Sequence, residues 1–203
     1  MKAYSLEQGK RLVKEARNII ELFLSTPKFD IALAEKRLAQ FDQRYGVFVT
    51  LYEHQTHALR GCIGFPRAFE QVKKLLPQAA IAAATEDPRF NPLDKRELDS
   101  IVIEVSILSE PVRIEGKPEE IPKQIKIGED GLIIEYGYHS GLLLPIVAVE
   151  GQWSSREFLE NVCLKAGLPA HTWMRHGVAL YKFSTQVFRE KSPGDDVEEI
   201  LLR

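Results

Sequence analysis

Two β-rich runs, residues 47–52 and 59–63, are separated only by a short polar stretch containing His54 and His57. Strands joined so closely pair antiparallel, because a parallel pair needs a crossover connection of roughly a dozen residues or more. A third β-rich run, 101–108, alternates Ile101, Ile103, Val105 and Ile107 with Val102, Glu104, Ser106 and Leu108. Its first set is plainly a core face. Between these runs, Pro77 suits the first turn of a helix whose body is Ala79, Ala80, Ile81, Ala82, Ala83 and Ala84. Side chains that small let a helix lie close on a sheet. Strands near one another in sequence, mixed with helices in no regular alternation, predict an α+β fold with a mainly antiparallel sheet flanked by helices.

The flanking segments fit that frame. Ser5-Leu6-Glu7-Gln8 has the form of a capping box, and Leu6, Leu12, Val13, Ala16, Ile19, Ile20 and Phe23 follow at helical spacing. Pro27 is expected to stop that helix, and Asp30 to cap a second one through Leu38. Asp87-Pro88 and Asn91-Pro92 hold Arg89 and Phe90 on a short, stiff loop, since the residue before proline is pushed out of the helical region. Asp94-Lys95-Arg96-Glu97 reads as the cap of a short helix. The stretch 117–123, with Pro118 and Pro122, is the linker candidate. Residues 124–127 and 132–136 read as a second hairpin, and 141–144 as a strand stopped by Pro145. A helix starts at Ser154, with Phe158, Leu159, Val162 and Cys163 on one side, and stops at Gly167. A last strand over 178–183 precedes an acidic tail.

The chain's 203 residues, 44% hydrophobic, suffice for one sizeable core or a main domain with a smaller lobe. A formal charge of −2 predicts no broad surface for nucleic acid. Lys2, Lys10, Arg11, Lys14 and Arg17 are interleaved with Glu7, Glu15 and Glu21, which reads as a solvated helix face. Two cysteines make no disulfide framework and fit a reduced, cytoplasmic protein. No apolar run approaches the roughly 20 residues needed to span a bilayer, so no membrane role is expected. Glycine-rich nucleotide loops, a Gly-x-Ser-x-Gly elbow and a Cys-x-x-Cys pair are all missing, which withdraws support from those chemistries.

The run Leu59-Arg60-Gly61-Cys62-Ile63-Gly64 proposes a site. Glycine inside a strand marks a bulge or the close approach of a backbone or ligand, which singles out Gly61 and Gly64. Alternation puts Arg60, Cys62 and Gly64 on one face. Cys62 is either a nucleophile, if a neighbour lowers its thiol pKa, or a small buried residue filling a gap. Arg60 and Arg89 form either a clamp for a carboxylate or phosphate, or two internal salt bridges, Arg89 with Asp87. Glu104 and Ser106, centred in a strand, face solvent or belong to a site, and Arg60 reaches Glu104 if their strands are neighbours. Glu150 is an acid at a lobe boundary or a rim salt bridge. The histidines show no metal-ligand spacing, and no cofactor is implied.

These residues resemble the AMMECR domain family. The six-residue run carries the resemblance, with Asp87-Pro88-Arg89-Phe90-Asn91-Pro92, Ile103-Glu104-Val105-Ser106-Ile107-Leu108, Gly128-Glu129-Asp130-Gly131-Leu132-Ile133 and the stretch from Leu143 to Trp153. The resemblance implies a larger domain built from both chain ends, 1–116 and 172–203, and a smaller inserted lobe, 117–171. It puts the six-residue run near their junction. It also implies association with Memo-like or radical-SAM proteins, since prokaryotic members are often encoded near or fused to the former and near the latter, by association only. After Gly64 the chain has Phe65-Pro66-Arg67, where small or hydroxyl residues are also common in the family. The functional expectation is a ligand- or partner-binding module with an anion-binding cleft between the lobes. The alternative is an enzyme acting on a small anionic substrate, with Cys62 as nucleophile or Glu104 as acid–base group.

Overall fold

The computed structural model describes residues 2–26 and 28–201. In chain order the elements are α1 (Leu6–Ser25), α2 (Ile31–Arg37), β1 (Gly46–Glu53), β2 (Leu59–Phe65), α3 (Val72–Thr85), β3 (Ile101–Leu108), β4 (Val112–Ile114), β5 (Asp130–Tyr136), β6 (His139–Leu143), α4 (Pro145–Glu150), α5 (Ser155–Lys165), β7 (Ala179–Glu190) and β8 (Val197–Ile200). Among the described residues the strands make an eight-stranded sheet in which β2, β1, β3, β7, β5 and β6 are successive neighbours. β4 and β8 also pair with β7. The registered pairs are antiparallel, so the fold is the α+β class expected.

The chain divides into two compact units, one of residues up to Leu108 with Gln186–Ile200, the other of Ser109–Thr185. The first boundary falls at the end of β3 and the second within β7, outside the expected limits of 117 and 171.

In the first unit, α1 and α3 cover one face of the sheet. Leu12, Val13, Ala16, Ile19 and Ile20 of α1 are fully buried with Leu75, Leu76, Ala79 and Ala80 of α3 and Val47, Val49, Leu51, Ile103, Val105 and Ile107 of the strands. α1 starts at the predicted capping box: Ser5 accepts from the Gln8 amide, and the Gln8 side chain accepts from the Ser5 amide. It ends at Ser25 with Thr26 as its cap; Pro27 lies outside the described residues. Arg17 departs from the expected solvated face. It is buried, and its guanidinium grips Glu190 of β7 through Nε and Nη2, each at 2.6 Å.

α3 begins five residues before the proline expected to open it, at Val72 rather than Pro77. Its first amides need no proline, because Val72 and Lys73 donate to the carbonyls of Gln43 and Phe41. Pro77 therefore lies inside the helix, where the carbonyl of Lys73 goes without its usual donor.

In the second unit, Leu132, Ile134, Ala148, Phe158, Leu159, Val162, Cys163, Trp173 and Leu180 form a separate core. The hairpin there is β5–β6, turning at Gly137 with φ +61°, and not the expected pairing of 124–127 with 132–136. Residues Ile121–Gln124 instead make a short 3-10 helix, so the linker candidate lies inside this unit. Pro145 opens α4 rather than simply ending a strand. Ser154 and Glu157 make the capping box of α5, and Gly167 stops that helix at φ +70°. β7 continues to Glu190, well past the expected end at 183, and the acidic tail holds β8.

Candidate functional site

β1 lies between β2 and β3, so the Arg60 and Glu104 strands are not direct neighbours. The register does align their residues. Thr50 of β1 faces Cys62 of β2 on one side and Glu104 of β3 on the other. Phe48 likewise lies between Gly64 and Ser106. A polar row, Cys62–Thr50–Glu104, thus crosses three strands on the face opposite α1 and α3. Thr50, Glu104 and Ser106 are all buried there.

The two glycines of the six-residue run meet protein rather than open space. A Cβ on Gly61 would stand 2.2 Å from the carbonyl oxygen of Ala83, so this glycine is what lets α3 lie against β2. A Cβ on Gly64 would stand 2.4 Å from both the Phe48 ring and the Val47 carbonyl.

Each charged side chain of the site is held by a partner inside the protein. Arg60 makes a forked pair with Glu97, at 2.9 and 3.0 Å, and donates its remaining nitrogen to the Asn91 carbonyl at 3.0 Å. Glu97 therefore replaces Glu104 as its partner. Arg60 holds the Glu97 carboxyl below its ordinary pKa, and Glu97 also accepts from the Asp94 amide at the start of a 3-10 helix, Lys95–Ser100. Glu104 accepts from Arg189 of β7, whose Nε lies at 2.8 Å and whose guanidinium sits 4.9 Å from the Tyr52 ring centre.

Asp87 is buried at the end of α3. One oxygen accepts from the Cys62 amide at 2.8 Å and from Arg89 Nη2 at 2.7 Å; the other accepts from the Arg89 amide and Nε. The Arg89 guanidinium holds this carboxyl well below the usual carboxylate range. The Arg89 side chain is half exposed, and its Nη1 lies outside the pair. The Phe90 ring is near both arginines, 5.9 Å from the Arg60 guanidinium and 5.5 Å from that of Arg89. The internal salt bridge is thus the arrangement of both Arg60 and Arg89.

Cys62 is partly buried, and the Thr50 hydroxyl donates to its Sγ at 3.3 Å. Burial pushes the thiol pKa up; the Thr50 hydrogen bond and the Arg89 charge oppose that without reversing it. Such a thiol is protonated at neutral pH. Cys163 is fully buried in the second unit's core. Glu150 ends α4 and is exposed; it belongs to the second unit, whereas the other candidate residues belong to the first.

Sequence reasoning missed Thr50 and Arg189 as members of this constellation. Thr50 was detectable as the polar residue centred in the first β-rich run, opposite the six-residue motif in a hairpin. Arg189 lay beyond the expected end of the last strand. Among the described residues there is no cluster of three or more metal-ligating side chains, and no helix is long and apolar enough to cross a membrane.

Known proteins resemble the chain along almost its whole length. The AMMECR1 family model matches residues 13–188. Protein MJ0810 of Methanocaldococcus jannaschii is 46% identical over 204 residues, covering 100% of both chains. A protein of Methanocella arvoryzae is 49% identical over 197 residues, covering 96% of this chain and 97% of its own. The crystal structure of uncharacterized protein PH0010 from Pyrococcus horikoshii superposes with a TM-score of 0.90 at 43% identity, covering 97% of this chain and 98% of that one. A family match over more than half of the chain, with relatives this similar end to end, places the chain in the AMMECR1 family.

Proposed function

We propose that the chain is a binding module. Its recognition surface is centred on Arg89 of the first unit, the contact for an anionic group. The observation that carries this reading is the state of Arg89: half exposed, held by the buried Asp87 through Nε and Nη2, and with Nη1 uncommitted. A guanidinium oriented in advance by its own carboxylate loses little freedom when it grips a ligand. The Asp87 charge offsets that of Arg89, so binding rests on hydrogen-bond geometry more than on attraction at a distance. Arg60, with all three nitrogens engaged, is a positioning residue that fixes Asn91 and the loop carrying Arg89 and Phe90.

The matching experiment is a thermal-shift panel of carboxylates, phosphorylated metabolites and acidic peptides on the full chain. Memo-like and radical-SAM proteins, which the family resemblance suggests, are the first macromolecules to add. A saturable shift kept in Cys62→Ala and lost in Arg89→Ala is expected. No shift from any member, or one indifferent to Arg89→Ala, overturns the reading.

One observation favours catalysis as a second reading: a thiol, a hydroxyl and a carboxylate stand in a single cross-strand row. Alkylation of Cys62 as a function of pH separates the two. With the thiol pKa raised, reaction is expected to develop only above the ordinary thiol range. Reaction persisting well below it would instead identify an activated nucleophile.

A further inference from the structure

The second unit carries a cavity of about 440 Å³ that shares no residue with the site above. Ile114 of β4 and Leu180 of β7, both buried, form part of its apolar wall. Trp173, 2% exposed, forms another part, and its indole Nε1–H is buried with no acceptor among the described residues. Buried indole N–H groups ordinarily find a partner, so this orphan is a feature to be explained. Arg113 and Arg175 line the same cavity and are exposed. Arg113 stands 3.9 Å from Glu115, beyond hydrogen-bond distance. Among the described residues the Arg175 guanidinium has no ion-pair or hydrogen-bond partner; its recorded bond is made by the backbone amide, to the Thr172 carbonyl. Either arginine alone reads as an ordinary solvated side chain, and Glu115 offsets one of the two charges. The convergence is what carries weight: apolar walls, an Arg175 guanidinium unpaired among the described residues and an Arg113 only loosely paired with Glu115 border one cavity.

We propose that this cavity binds a small amphipathic carboxylate, an apolar body seated on Ile114, Leu180 and Trp173 with its carboxylate on Arg175 and Arg113. The volume suits a ligand of metabolite size. A planar fork meets a carboxylate in two parallel hydrogen bonds, and a nearby apolar wall strengthens them by lowering the local dielectric. The proposal is independent of the function assigned to the first unit.

Trp153 and Trp173 are the only tryptophans of the chain, so Trp153→Phe leaves Trp173 as the sole indole reporter. The test titrates this full-length variant with phenylacetate, indole-3-acetate and octanoate, and with the neutral amide of each. Octanoate and phenylacetate are read by Trp173 fluorescence, indole-3-acetate by calorimetry because it is itself fluorescent. Saturable binding of at least one carboxylate is expected, with its amide weaker by about tenfold, the effect of losing a charge-assisted contact. Arg175→Glu, an exposed substitution that leaves the core intact, is expected to abolish it, whereas Arg96→Glu in the first unit leaves it unchanged. No saturable binding at millimolar concentration overturns the proposal. So does amide binding equal to that of the acid, or binding indifferent to Arg175→Glu. Inorganic phosphate binding as tightly as any carboxylate would also overturn it, since the apolar wall would then contribute nothing.

Discussion

Gly61 and Cys62 are adjacent, yet they answer to different neighbours because a strand sends alternate residues to opposite faces. Gly61 is turned to α3, where the Ala83 carbonyl occupies the space of a side chain. Gly61→Ala must push a whole helix, since the obstacle is backbone rather than the end of a flexible side chain. It is expected to cost about 2 kcal/mol, in the range of overpacked cores, read as a lower urea midpoint. A midpoint equal to wild type would show that α3 can slide. Gly137→Ala is the control: no atom lies within 4 Å of its Cβ, so its cost reflects only the φ of +61°. Cys62 faces the polar row, where Thr50 and the Asp87 carboxylate fix its thiol and its amide. The sequence indicated that something comes close at Gly61. It did not indicate what, because a close-approach glycine looks the same whether a ligand or a helix carbonyl meets it.

At the scale of elements, β2 is an edge strand, and Asp87 occupies part of its open side by accepting the Cys62 amide. A carboxylate there satisfies a backbone donor that would otherwise invite another strand. Asp87→Asn keeps an acceptor for that amide but loses the charge facing Arg89. A cost of about 2 kcal/mol at neutral pH is expected from weakening charge-assisted hydrogen bonds at a buried group. The pH dependence has a definite sign. The Asp87 carboxyl titrates lower in the folded chain than in the unfolded one, so its contribution is complete above the ordinary carboxylate range. It fades as pH falls through that range toward the depressed value. The stability gap between wild type and Asp87→Asn, measured by urea denaturation, is therefore expected to narrow on acidification. A gap that is constant or widens would rule out the Asp87–Arg89 pair as its source. Much at this scale was legible. The β1–β2 hairpin, the caps at Ser5, Asp30 and Ser154, and the stiff loop carrying Arg89 all follow local chemistry. The start of α3 was not legible, because its first amides are satisfied by Gln43 and Phe41, a tertiary contact with no local signature.

Across the whole chain, the first unit is closed by bonds between its two ends. Gln186 accepts the amides of Ala3 and Tyr4 and donates to the Tyr4 carbonyl. Arg17 grips Glu190 and also donates to the carbonyls of Leu98 and Ile101, while Glu190 accepts the Ile103 amide. This closure was hidden in the sequence. Arg17 lies among charged residues that do face solvent, and Glu190 lay beyond the expected last strand. The unit boundary was hidden for a related reason: it falls inside β7, with no turn or proline to mark it. Removing one member of a buried pair leaves an uncompensated charge, so Glu190→Gln is expected to cost about 3 kcal/mol. Arg17→Met should cost a similar amount. The double variant Arg17→Met/Glu190→Gln should cost less than the sum of these two, because neither charge is then left unpaired. Both tryptophans report on the second unit, whereas Cys62 lies in the first. Tryptophan emission and peptide-resolved labelling of Cys62 during urea denaturation can therefore follow the two units separately. If they unfold independently, Glu190→Gln moves the Cys62 labelling midpoint and leaves the tryptophan transition in place. If both move together, the continuous β7 backbone couples the units into one cooperative transition. Neither probe moving would refute the assignment of Arg17 and Glu190 as the closure of the first unit.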